Sequence, residues 1–238
     1  MSYGIQLHVW GDLACFTRPE MKAERVSYDV ITPSAARGIL EAIYWKPQIR
    51  WVIDRIHVLN PIRFTSVRRN EVGCKMPAPS RAVMAGTETA HVGLHIEDER
   101  QQRASLLLRD VAYVIDAHFD ILEHRFERGG QQLPANDCAG KHLDMFKRRA
   151  SRGQYFHHPY FGTREFPVSF ALLEPGQLAP ACKLPPEQLS KDLGFMLHDI
   201  AFDQDPETKK VRDTSPRFFR AELKNGVIEV PPFHQARA

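Results

Sequence analysis

An α+β fold is expected for this chain on three observations. Apolar residues alternate at Ile5, Leu7 and Val9; a capped helical stripe follows between 32 and 43; and a second helix is succeeded by another extended run near 166–173. Strand, helix, two extended regions, helix and strand is the order of the split βαβ, or ferredoxin-like, arrangement βαββαβ, in which both helices cover one face of an antiparallel sheet.

The opening strand is expected from Ile5 to Trp10, ending at a turn at Gly11-Asp12. An irregular connection leads to a helix start, where Thr32 or Ser34 can cap and Pro33 suits the first helical position. Ala36, Ile39, Leu40 and Ile43 form its buried stripe, Arg37, Glu41 and Tyr44 its polar side, and Gly38 is a site for close packing. Trp51–Val58 and Ile62–Val67 read as extended runs divided by Asn60-Pro61, and 73–102 as a surface excursion rich in Pro, Gly and charge. Leu106–Leu108 and Ala112–Leu122 are extended again. Leu143, Phe146 and Ala150 mark a second helix that Asn136 or Asp137 can cap, and Phe166–Leu173 closes the unit after a turn at Phe161-Gly162.

Four prolines between 174 and 191 set a boundary, giving a ferredoxin-like domain over 1–174 and a small antiparallel β-sheet domain over 175–238. Within the latter, Leu193–Phe202 and two runs joined at Asn225-Gly226 are extended, because both residues tolerate the positive φ of a type I′ turn.

With 238 residues, 43% hydrophobic and 26% charged, the chain has the composition of a soluble globular protein. No apolar run approaches a membrane span and the N-terminus lacks a signal-like segment, so a cytoplasmic protein is expected. Cys15, Cys74, Cys138 and Cys182 form no C-x-x-C pair, which argues against a zinc ribbon or thiol redox motif. The P-loop pattern and G-x-S-x-G are absent, and no acidic cluster suggests two-metal chemistry. His91 and His95 have i, i+4 spacing without the glutamate of H-E-x-x-H, and His157-His158 would point to opposite faces of a strand. No metal and no cofactor is expected.

The net charge of +3 is mild, but its distribution is not even. Arg50, Arg55, Arg63, Arg68 and Arg69 crowd one stretch, and Lys141, Lys147, Arg148, Arg149 and Arg152 another. Brought together, the two would line a groove for a polyanion, with Arg50, Arg55, Arg68, Arg69, Lys147 and Arg148 as candidate RNA contacts; scattered solvated faces are the alternative. Gly140-Lys141-His142 puts a fixed cation and a titratable imidazole in the first turn of the second helix, where positive charge opposes the helix dipole unless an anion sits there. A solvated first turn is the plainer reading. Metal-free RNA cleavage needs little beyond such groups and a tyrosine. An imidazole can carry either proton, an ammonium can steady the phosphorane, and a phenol near a cation can act as base or orient the nucleophile. Tyr44 is the candidate phenol, and alternatively a helix-end aromatic packed against Trp45.

Several motifs carry a family resemblance. Ser27-Tyr28-Asp29-Val30, Pro33-Ser34-Ala35-Ala36-Arg37-Gly38-Ile39 and Ile43-Tyr44-Trp45-Lys46-Pro47 resemble the repeat-processing ribonuclease of type I-C CRISPR systems, the fifth family of CRISPR-associated subunits, subtype d. Trp10-Gly11-Asp12, Ile53-Asp54-Arg55-Ile56-His57-Val58, Arg69-Asn70-Glu71, Gly140-Lys141-His142 and Gly162-Thr163-Arg164-Glu165-Phe166 extend it in order over most of the chain. The resemblance implies a ferredoxin-like domain of the repeat-associated RNA-binding (RAMP) superfamily with a small β domain. It implies metal-independent cleavage of precursor CRISPR RNA at the base of the repeat hairpin, leaving a 2′,3′-cyclic phosphate and a 5′-hydroxyl. The catalytic set then falls on Tyr44, Lys141 and His142. The implied partners are the repeat hairpin, the mature crRNA held by its 5′ handle, and the backbone and large subunits of the type I-C surveillance complex, with weak secondary affinity for DNA. The rival expectation is a non-catalytic RNA-binding scaffold that caps the guide.

Overall fold

Alternating apolar residues carry the chain into strand β1, Ile5–Ala14, with Ile5, Leu7 and Val9 buried. The strand runs through Gly11-Asp12 instead of turning there. At Gly11 a Cβ would lie 2.9 Å from the Pro167 carbonyl oxygen and 3.1 Å from the Phe161 ring, so the glycine serves close packing across the strand. The computed structural model describes residues 4–21, 23–89, 93–122, 126–128, 131–133, 139–205, 208 and 210–237.

Helix α1, Pro33–Ile43, starts as its sequence dictates: Thr32 accepts from the Ala35 amide and proline takes the first position. Ala36, Ile39, Leu40 and Ile43 are buried, while Arg37 pairs with Glu41 and, across the chain, with Asp199. Two expectations fail here. Tyr44 is buried rather than on the polar side, and no heavy atom stands within 4 Å of a Cβ built at Gly38, so that glycine has no packing role.

Strand β2, Ile49–Val58, buries Ile49, Trp51 and Ile53, then Ile56 and Val58. A register shift between Ile53 and Arg55 accounts for the broken alternation. Strand β3, Phe64–Val72, is followed by the single-turn helices α2, Arg81–Met84, and α3, Ile96–Glu99. Strand β4, Arg100–Ile121, then runs for 22 residues. The surface excursion is therefore shorter than expected, and the two extended segments around 106 and 112–122 are one strand, interrupted only by Asp110 at φ 53. The outer half of β3–β4 is mostly exposed and polar, so periodicity could not reveal it. Strands β5, Phe126–Arg128, and β6, Gln131–Leu133, pair with each other.

Helix α4, Ala139–Ser151, buries Ala139, His142, Phe146 and Ala150; the capping candidates Asn136 and Asp137 and the thiol Cys138 lie outside the described residues. Strand β7, Ser169–Leu173, begins later than expected because Phe166 and Val168 are buried in the preceding loop, around Pro167. One antiparallel sheet has the order β2-β4-β1-β7, with β3 pairing the first half of β4. Helix α1 packs on β2 and α4 on β7, the two helices touch, and their buried stripes share one core with Tyr113, Ile115, Ala117 and Phe119 of β4. The architecture is thus mixed α/β, dominated by antiparallel sheet.

Past the prolines come α5, Pro186–Leu189, and a two-stranded sheet of β8, Lys191–Gln204, and β9, Val211–Leu223. Asn225 and Gly226 both hold positive φ, as the Asn-Gly signal required. The turn sends β10, Val227–Glu229, to the free edge of β2 rather than back along β9, and a 3₁₀ turn at Phe233–Gln235 follows. Met196, Phe219, Leu223 and Ile228 join the main core. Among the described residues no helix is long and apolar enough to cross a membrane.

Gly162 ties the loop before β7 to the end of β1. Its φ is +79, and a Cβ there would fall 2.0 Å from the Cys15 carbonyl oxygen, beside the Cys15 amide to Phe161 carbonyl hydrogen bond. Gly162→Ala should lower Tm by about 5 °C or more in thermal denaturation; an unchanged Tm would show that this approach contributes nothing to stability.

Candidate active site

Tyr44 leaves α1 in an extended conformation, φ −151 and ψ 117, while its amide still bonds the Leu40 carbonyl oxygen at 2.9 Å. That break in helical geometry turns the phenol inward. Trp51 on β2 fixes the turn by donating its indole N–H to the Tyr44 carbonyl oxygen at 2.9 Å. Pro47, three residues on, cannot prolong the helix.

From the other side, α4 presents His142 on the same stripe as Phe146 and Ala150, at i, i+4 and i+8. The His142 Nδ1 and Tyr44 Oη atoms are 2.8 Å apart in a buried hydrogen bond between residues 98 positions apart. Which atom donates follows from the imidazole tautomer. The Phe119 ring meets the His142 ring edge to face at 6.1 Å, and Trp51 packs on both Phe119 and Phe146. Both partners of the pair are almost closed to solvent, Tyr44 at 3% and His142 at 2% exposure. His142 is therefore not a solvated first-turn residue. Lys141, its neighbour, points outward and is exposed.

The structure adds Arg149 to this site. Its guanidinium stands 5.3 Å from the centre of the Tyr44 ring and donates to the Ile43 carbonyl oxygen at 3.1 Å. The readable signal was spacing: Arg149 follows His142 by seven residues and so shares its face of the helix. Trp51 and Phe119 carried no signal beyond strand periodicity.

The expected RNA contacts do not gather in one place. Arg55 and Lys147, one from each basic stretch, line a shared hollow of about 710 Å³ that also contains Asp54, Asp116, His118 and Glu174. Arg50 is exposed and pairs with Asp120 at 3.2 Å. Arg68 is exposed on β3. Arg69 is drawn into a carboxylate network, 2.8 Å from Glu165 and 3.2 Å from Glu71, which makes it a structural cation first. Arg148 is exposed on α4 beside Met145. His157 and His158 sit in an exposed loop, not a strand. His91 lies outside the described residues, and among those described no group of three or more His, Cys, Asp or Glu is placed to hold a metal ion.

Comparison with known proteins places the chain in a family. Residues 4–231 match the family model described as CRISPR-associated protein (Cas_Cas5), subtype Cas5d. A Mannheimia succiniciproducens protein named CRISPR pre-crRNA endoribonuclease Cas5d is 53% identical over 235 residues, covering 98% of this chain and 97% of its own. A Thermus thermophilus protein of the same name is 41% identical, covering 95% and 91%. Among solved structures, a CRISPR-associated protein superposes with a TM-score of 0.64 at 23% identity, and a functionally uncharacterized Streptococcus mutans protein with 0.63 at 23%; each comparison covers 100% of this chain and 96% of the other. At that identity the structural likeness speaks for the fold alone.

The hollow beside Lys147 also sets a pH dependence. Burial tends to raise the Asp116 carboxyl, but hydrogen bonds from His57 at 3.0 Å and Gln6 at 3.0 Å, with the charge of Arg55, outweigh it and hold the group below the usual carboxylate value. A carboxyl lowered on folding adds stability that is complete above its unfolded value, about 3.9, and is lost as pH falls through the lower folded value. Asp116→Asn should therefore destabilise the protein at pH 6 and lose that effect progressively below about pH 4, as read from Tm against pH; parallel curves for the two proteins would contradict this.

Proposed function

The chain belongs to the Cas5d family of CRISPR-associated proteins, and from that premise we propose that it is an endoribonuclease that cuts precursor CRISPR RNA within the repeat, using Tyr44, Lys141 and His142. The observation that carries the assignment of residues is the 2.8 Å contact between the Tyr44 hydroxyl and the His142 imidazole. Two groups able to move protons meet there beside a lysine, at the junction of two helices. The relatives at 53% and 41% identity, both named as pre-crRNA endoribonucleases, support the substrate class.

In the proposed reaction the ribose 2′-hydroxyl attacks the adjacent phosphorus and gives up its proton, the P–O5′ bond breaks, and the departing 5′-oxygen receives a proton. A 2′,3′-cyclic phosphate and a 5′-hydroxyl result. His142 carries one of these protons, a task usually worth about 10²–10⁴-fold. Tyr44 holds the imidazole in place through Nδ1. The exposed ammonium of Lys141 neutralises charge on the phosphorane. Because the two rings are nearly closed to solvent, RNA binding has to uncover an edge of the imidazole before reaction.

That burial also favours a second reading, in which Tyr44 and His142 are a structural clasp between helices and the chain is a non-catalytic scaffold that caps the guide. The order β2-β4-β1-β7, with α1 and α4 as the crossing helices, supports the ferredoxin-like arrangement over 1–174, and the two-stranded β8–β9 sheet, although packed on the main core, supports a small β domain over 175–238. After cutting, the protein stays on the 5′ handle as a subunit of the type I-C surveillance complex, in the cytoplasm.

Incubation of the purified chain with repeat RNA in excess EDTA should give a single cut with a cyclic phosphate end; a need for added divalent metal overturns the proposed chemistry. His142→Ala should reduce cleavage by at least about 10²-fold while binding changes little. Equal loss of both, with a lowered Tm, would instead identify the clasp.

A further inference from the structure

Immediately beyond α4 the chain displays aromatic side chains where a soluble protein ordinarily hides them. Phe156 is 87% exposed and Tyr155 45%. The display is built, not loose. Gly153 takes φ +64, and the amides of Gly153 and Gln154 bond back to the Ala150 and Arg149 carbonyl oxygens, closing the helix end. The Phe156 amide then bonds the Ala42 carbonyl oxygen at 2.8 Å, two residues before Tyr44. Arg149, Gly153, Gln154, Tyr155 and Phe156 line a hollow of about 510 Å³. Arg149 thus faces two ways: it lies over the Tyr44 ring and also walls the hollow.

We propose that this hollow is a stacking pocket for one unpaired base of the RNA next to the cut, with the Phe156 ring as its platform. The proposal rests on the function proposed above. Three features select RNA as the occupant. Arg149 links the pocket to the Tyr44–His142 pair, since it walls the one and lies over the Tyr44 ring of the other. The charged residue that lines the pocket is Arg149, and Arg148 and Arg152 are exposed close by in the chain, which suits a sugar-phosphate backbone. An exposed flat ring beside a guanidinium is the combination that holds unstacked bases, since every base offers a π-face. The backbone bonds to Ala42 and Arg149 fix the main chain that carries the ring, so the backbone needs little ordering on binding. Seating one base here would anchor the strand on one side of the scissile linkage and so define where the cut falls relative to the hairpin.

The test uses the full chain carrying His142→Ala, to keep the RNA whole, and repeat RNAs with 2-aminopurine placed singly at unpaired positions flanking the stem. One position should show fluorescence quenched on binding. Phe156→Ala should abolish that quenching and weaken affinity roughly 5- to 100-fold, the range that stacking of one base spans, while Phe156→Trp restores both. Because the ring is exposed, an unchanged Tm is expected for each variant and checks folding. Binding by the parent that does not depend on Phe156, in affinity or in fluorescence, overturns the pocket and leaves the endoribonuclease reading standing. A parent that binds no repeat RNA overturns the underlying reading, and the pocket with it.

Discussion

Strand β4 pairs with β1 along one side and with β3 and then β2 along the other, so a single 22-residue segment decides where everything else lies. With β1 and β2 both antiparallel to it, the helix joining them must cross one face of the sheet. Helix α4, which leads into β7 on the far side of β1, covers the same face. The C-terminal end of α1 and the N-terminal turns of α4 are thereby brought together above Trp51 and Phe119. The Tyr44–His142 hydrogen bond is the consequence. Loss of β4 pairing would separate the two groups even if each helix kept its own shape.

The same bond joins stability to the proposed chemistry. A buried hydroxyl and a buried imidazole each incur a desolvation cost that a hydrogen bond between them largely offsets, and replacing one partner leaves the other unsatisfied. The Trp51 bond to the Tyr44 carbonyl and the Arg149 bond to the Ile43 carbonyl satisfy backbone oxygens that the end of α1 leaves exposed. Side chains from a strand and a neighbouring helix thus complete the terminus of α1 and hold the phenol where the imidazole can reach it.

The charge pattern has a divided use. Arg37, Arg50, Arg69 and Arg220 are paired with carboxylates of the same chain, so the modest excess of +3 understates how many cations are engaged internally. Arg68, Arg148 and Arg152 are exposed on the surface. Duplex RNA is recognised largely by shape and backbone, whereas unpaired nucleotides are held by stacking and edge contacts. In the proposed reading, the exposed cations hold the hairpin stem on the surface and the aromatic hollow next to the helix junction receives an unpaired nucleotide.

Local rules made much of this legible in the amino-acid order. Thr32-Pro33 and the stripe at 36, 39, 40 and 43 determined α1; the 143-146-150 spacing announced α4; Asn225-Gly226 announced a tight turn; and the ordered motifs pointed to the family to which the chain belongs. Tyr44 and His142 were legible as residue types suited to proton transfer. Their burial, the long polar arm of β3 and β4, the recruitment of β10 to the main sheet, the capture of Arg69 by Glu71 and Glu165, and the placing of Arg149 over Tyr44 were decided only by the tertiary structure. Periodicity reports which side of an element meets apolar neighbours. It is silent where polar groups from distant segments satisfy one another, because that pairing has no repeat along the chain.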